Sequence, residues 1–124
     1  MLKTKLSAMV ISLWCATAAY AGPPSFNCAA RSSAATRLIC ADAELSDADA
    51  EVFGLYNSWS SNVTGADRAA RAASHAAWMR ERNDRCGLNG MSADAPLETL
   101  MAAKPCMMKL YRERKEFYEK VEWQ

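Results

Sequence analysis

The sequence predicts an all-α fold: a small disulfide-stapled bundle of three long helices plus a short N-terminal helix, after a cleaved signal peptide. Three observations carry that expectation. Alanine is abundant, β-branched residues are scarce, and no stretch sustains the period-two alternation of a half-buried strand. Apolar residues recur instead at intervals of three and four. One of the five cysteines lies in the leader, so Cys28, Cys40, Cys86 and Cys106 remain as an even set behind an export signal, the pattern of a disulfide framework.

Lys3 and Lys5 precede an apolar run from Leu6 to Ala19, and Ala19-Tyr20-Ala21 supplies the small residues that signal peptidase needs. Residues 1–21 therefore read as a signal peptide cleaved before Gly22. Ser7 and Ser12 interrupt the run, which falls short of the roughly 18 apolar residues of a membrane span. Cys15 follows Trp14, whereas a lipidated cysteine follows a small residue, so Cys15 belongs to the discarded peptide. The expected location is the periplasm or the medium, with no stable membrane insertion after cleavage. Residues 22–124 make one domain, with a core of about 26–121, of a size at which burial is modest and cross-links help.

The elements follow in order. Pro23-Pro24 leads into a first short helix, about Ser33 to Cys40, with serines able to cap it and Leu38-Ile39 at its end. The second, about Ala43 to Ser60, aligns Leu45, Ala48, Val52, Tyr56 and Trp59 on one stripe, with acids crowding its first turns where the helix dipole favours them. Asn62-Val63-Thr64-Gly65 reads as a turn. The third, about Ala66 to Arg85, is assigned a face of Ala70, Ala73, Ala77, Trp78 and Glu81. Cys86-Gly87 and Asn89-Gly90 then break the chain. Asp94 is placed to cap a helical turn near Pro96, and Pro105 to start a last helix of about 16 residues bearing Met107, Leu110, Tyr111, Phe117, Tyr118 and Val121. Arg114 shares that face, either as a buried partner for Glu81 or Asp49 or snorkelling along the rings to water.

Four cysteines allow three connectivities. The local scheme, Cys28–Cys40 and Cys86–Cys106, is favoured because each bond staples an irregular segment; a scheme joining Cys40 to Cys86 or Cys106 is the alternative.

Without Lys3 and Lys5 the basic count falls from 15 to 13 against 14 acids, net −1. No basic face or stacking platform suggests a nucleic-acid partner. Asp42, Glu44, Asp47, Asp49 and Glu51 form an acidic stretch, while Arg80, Arg82, Arg85, Lys109, Arg112, Arg114 and Lys115 make the later part basic. These are either solvated helix faces attracting one another or an acidic patch aimed at a basic partner.

No C-x-x-C, zinc-knuckle spacing, G-x-S-x-G or phosphate-cradling loop occurs, so no metal, cofactor or enzyme is expected. With every mature thiol paired, His75, the lone histidine, has no cysteine nucleophile to activate and reads as a helix-surface or interface residue.

Phe26-Asn27-Cys28, then Leu38-Ile39-Cys40-Ala41-Asp42, Glu44-Leu45, Asp49 and Tyr56, resemble the N-terminal half of the LprI-like lysozyme inhibitor domain. Trp78-Met79-Arg80-Glu81-Arg82-Asn83 leading to Cys86-Gly87, and Cys106-Met107 with Leu110-Tyr111-Arg112 and Arg114, resemble its second half. His75 stands where the family commonly has glutamine, and Ala48 where a larger apolar residue is common. The resemblance implies an exported bacterial helical domain with a protein partner, a lysozyme or another protein. Most of the matching side chains are also what a bundle needs to fold; Arg82 and Arg114 could be internal partners or interaction residues.

If the partner is a lysozyme, whose catalytic carboxylates sit in a cleft, an inhibitor needs a constrained protrusion carrying a donor. The connector from Gly87 to Pro96 fits best, through Gly87, Leu88, Asn89 and Gly90, with Arg85 beside it as donor. Acids such as Asp47 and Glu51 would steer a basic hydrolase towards the surface.

Overall fold

The computed structural model of the chain describes residues 24–30 and 33–121. The expected signal peptide, with Cys15, lies outside the described residues. Five helices and no strand occur among those described: α1 (Ala34–Ala41), α2 (Ala43–Ser61), α3 (Gly65–Arg85), α4 (Leu97–Met101) and α5 (Lys104–Val121). The three long helices and the short N-terminal one are those the sequence predicts.

Helix α1 begins at a capping box. Ser33 Oγ accepts from the Thr36 backbone N–H at 3.2 Å, and Thr36 Oγ1 accepts from the Ser33 N–H at 3.1 Å. A threonine hydroxyl thus does what a glutamate usually does at the third helical position. Asp42 closes α1 and opens α2, its Oδ2 accepting from Leu45 N–H at 3.0 Å and its Oδ1 from Lys104 Nζ at 3.0 Å. The corner is fixed from inside as well, since buried Ser46 donates to the Ile39 carbonyl at 2.6 Å.

Helix α2 keeps its predicted stripe: Leu45 and Val52 are buried, and Ala48, Tyr56 and Trp59 pack partly buried against the core. Across from it, α5 contributes Met107, Leu110, Tyr111 and Tyr118, all at most 4 % exposed. Leu38, Ile39 and Leu100 complete the centre. Burying each such side chain is worth about 1.5–3 kcal/mol, so this layer carries most of the apolar driving force. Phe117 departs from its predicted place; at 36 % exposed it stands at the edge of the core.

Of the face predicted for helix α3 only Trp78 is buried, and the helix is turned away from the alanines. Ala70, Ala73, Ala77 and Glu81 are exposed, and the buried residues are His75, Trp78 and Arg82. Alanine offers little area, so its spacing orients a helix weakly, whereas an indole and two hydrogen-bonded heads decide the face. The helix ends at Cys86 with Gly87 at φ +73°, a left-handed position that glycine takes without a Cβ clash. Asp94 does not cap α4: its N-cap is Pro96, without a side-chain cap bond. Helix α5 begins at Lys104, one residue before Pro105, which fits the first turn because its missing N–H has no intrahelical partner there.

Candidate functional site

Two features rise above the apolar core: a buried polar column linking α2, α3 and α5, and a stapled connector between α3 and α4. Disulfides join Cys28 to Cys40 and Cys86 to Cys106, with Cα–Cα separations of 5.7 and 5.6 Å. The second bond ties the end of α3 to the first turn of α5. Each loop closure removes about 3 kcal/mol of freedom from the unfolded chain.

The connector is held along its length. Leu88 is 3 % exposed, its N–H donating to the Asn83 carbonyl at 2.8 Å, so it anchors the segment and offers nothing to a partner. This corrects its place among the candidate contacts. Arg37 of α1 donates to the Ala93 carbonyl at 2.8 Å and also to the Ala95 carbonyl, an attachment no local pattern announces. Asn89 and Gly90 stand exposed at the tip. Arg85 remains at the surface, paired with Glu81 at 3.6 Å, both side chains more than half exposed.

One end of the column centres on Asp49. Its Oδ2 accepts from Ser25 N–H at 2.7 Å and from Ser25 Oγ at 2.6 Å, and its Oδ1 accepts from the Tyr111 hydroxyl at 3.0 Å. Arg82 Nη1 donates to that hydroxyl at 2.8 Å and lies 3.7 Å from Asp49 Oδ1, while its Nε donates to Asn83 at 2.9 Å. Asp49, Arg82 and Tyr111 are each at most 5 % exposed, so the charges are paired and hydrogen-bonded as burial demands. Burial pushes the Tyr111 hydroxyl well above its usual range. The acid partner thus belongs to Arg82, and Asp49 is withdrawn from the acidic surface stretch.

The other end centres on Tyr118. Arg114 Nη2 donates to its hydroxyl at 3.0 Å and to Ser74 Oγ at 3.1 Å. That hydroxyl lies 2.8 Å from His75 Nδ1, within hydrogen-bonding distance, so Tyr118 joins Arg114 to the imidazole. His75 is buried and stacked on Tyr56, centroids 4.3 Å apart, which corrects the surface placement. Burial, aided by the nearby Arg114 charge, lowers its pKa to about 4 and keeps the ring neutral at pH 7. Arg114 pairs with neither Glu81 nor Asp49; its guanidinium lies 4.2 Å from the Phe117 centroid and 4.6 Å from that of Tyr118, the packing along rings that was the second expectation. Sequence reasoning missed Ser25, Ser74 and the role of His75. The spacing of His75, Trp78 and Arg82 at three and four was the available signal.

The remaining motif residues lie in or against the core. Phe26, Tyr56 and Met79 pack partly buried on the core, and Leu45, Trp78 and Leu110 lie inside it. Asp47 and Glu51 are exposed on α2, Glu51 meeting Lys115 of α5 at 2.6 Å. Among the described residues no group of His, Cys, Asp and Glu side chains gathers as metal ligands would, and no helix is long and apolar enough to cross a membrane.

The sequence model of a family described as lysozyme inhibitor LprI matches residues 28–117, a span holding both disulfides, Asp49, Arg82, Tyr111 and Arg114. The chain belongs to the LprI family. No curated protein and no solved structure matches it. The LprI match ends one residue before Tyr118 and begins after Ser25 and Phe26, so three contacts of the column, Ser25–Asp49, His75–Tyr118 and Arg114–Tyr118, reach beyond the matched span.

Proposed function

We propose that this LprI-family protein is an exported, non-catalytic inhibitor that binds and blocks a lysozyme or related cell-wall hydrolase. Its family membership over residues 28–117 carries the reading. The connector supports it physically. A segment held by Cys86–Cys106, by Leu88 in the core and by Arg37 loses little conformational freedom on binding, so more of its contact energy appears as affinity. Asn89 and Gly90 lead, and Arg85 follows as donor to a cleft carboxylate. Its pair with Glu81 is half exposed and worth about 0.3–0.5 kcal/mol, so Arg85 is readily diverted to a partner.

Exposed Glu44, Asp47 and Glu51 on α2 would speed encounter with a basic hydrolase, an effect that fades as salt screens it. The test is lysis of cell-wall substrate by several lysozyme types with the oxidised protein present. Micromolar protein is expected to slow at least one of them, and Arg85→Ala to weaken inhibition about tenfold with unchanged stability. Undiminished lysis by every type overturns the proposal.

A further inference from the structure

Between α3 and α5 a cavity of about 230 Å³ opens to solvent. Trp78, Leu110 and Phe117 give it apolar walls, Arg82, Arg85 and Arg114 line it with cations, and Glu81 and Glu113 complete the lining. Two of the three arginines already have acids: Arg82 has Asp49 and Arg85 has Glu81. Arg114 has none. Among the described residues no carboxylate lies within ion-pairing distance of it, and its Nε is buried without any acceptor. The half-buried guanidinium is met by two hydroxyls and three rings, which offset its desolvation less than a carboxylate would.

We propose that this groove is a binding site for a monocarboxylate carried on a short apolar stem, with Arg114 as the principal cation. With Arg82 and Arg85 already matched to Asp49 and Glu81, Arg114 is the single cation left to meet a ligand, which suits one carboxylate better than a dianionic phosphate. The stem lies against Trp78, Leu110 and Phe117. The volume admits a side chain or a chain terminus and is below the range of ordinary drug-sized pockets, so a glycan chain does not fit inside it. The site does not depend on lysozyme inhibition, and its ligand is either a free small carboxylate or a carboxylate borne by a bound protein.

The experiment is an NMR titration of the oxidised protein with N-acetyl-leucine, following the Trp78 indole N–H, with N-acetyl-leucine amide as the uncharged control. Saturable shifts with the acid alone are expected below about 20 mM. Arg114→Gln is expected to weaken binding about tenfold. Glu113→Gln, at an exposed position, is expected to tighten it about twofold by removing a rim charge, and it keeps the test open if the arginine variant does not fold. No shift with the acid, equal shifts with the amide, or no tightening in Glu113→Gln overturns the proposal. Repeating the lysis assay with saturating N-acetyl-leucine then locates the source: relief of inhibition assigns the carboxylate to the hydrolase, and unchanged inhibition assigns it to a small molecule. A protein without effect on lysozyme leaves the titration fully decisive.

Discussion

Arg82 and Arg114 lie at opposite ends of one polar column, both against Trp78, and the fold treats them differently. Around Arg82 a buried carboxylate, a buried phenol and a half-buried amide are in place. Around Arg114, among the described residues, there are two hydroxyls and three aromatic rings but no acid, and one nitrogen is left without an acceptor. A completed network fixes how α2, α3 and α5 meet. An incomplete one leaves interaction energy available to something outside the chain.

The comparison is most sharply broken by truncation at each end. Asp49→Ala strands Arg82, Tyr111 and Ser25 together and is expected to cost about 3–5 kcal/mol in urea unfolding. Arg114→Met, which keeps the stem against the rings, is expected to cost about 1 kcal/mol or less, because no buried anion is orphaned. Equal losses would show that Arg114 is as structural as Arg82.

Next in size are the staples. Removing either bond is expected to lower stability by about 3 kcal/mol. Only the Cys86→Ala/Cys106→Ala pair frees the connector, so it should also weaken inhibition, whereas Cys28→Ala/Cys40→Ala at matched folded fraction should not.

His75 then separates the ends by pH. Its folded pKa, about 4, lies below the ordinary 6.5, so between those values the unfolded chain binds more protons. Its stabilisation is complete above pH 6.5 and is lost as pH falls towards 4, a decline of at most roughly 3 kcal/mol. His75→Gln, which keeps a hydrogen-bonding head facing Tyr118, is expected to flatten that slope in unfolding measured from pH 7 to 4. The facing groups, Arg114, Arg82, Asp49, Tyr118 and Tyr56, remain unchanged by the substitution. The smallest effect belongs to the surface: Glu51→Gln loses an exposed contact with Lys115 and should leave the urea midpoint almost unchanged, any shift fading with salt.

Much of this molecule was legible in its residues. Helix ends were marked by Ser33 and Gly87, and the α2 stripe by large side chains three and four apart, whereas the cap at Asp42 emerged only in the structure. The α3 face was misread because alanines share almost every face of that helix, so their pattern orients it poorly. The α5 face was read well except at Phe117, which lines the groove.

Local sequence determined helix existence, the cysteine complement and the family, since capping, periodicity and motif order are short-range or compositional properties. Tertiary structure decided which acid meets Arg82, that His75 is buried and neutral, that Leu88 is an anchor and that Arg114 meets hydroxyls and rings instead of Glu81 or Asp49. Those outcomes depend on pairs such as Asp49 with Tyr111, 62 residues apart, and His75 with Tyr118, 43 apart. The strength of a buried charge or hydrogen bond is set by what surrounds it once water is excluded, and that surrounding is assembled only when the helices pack.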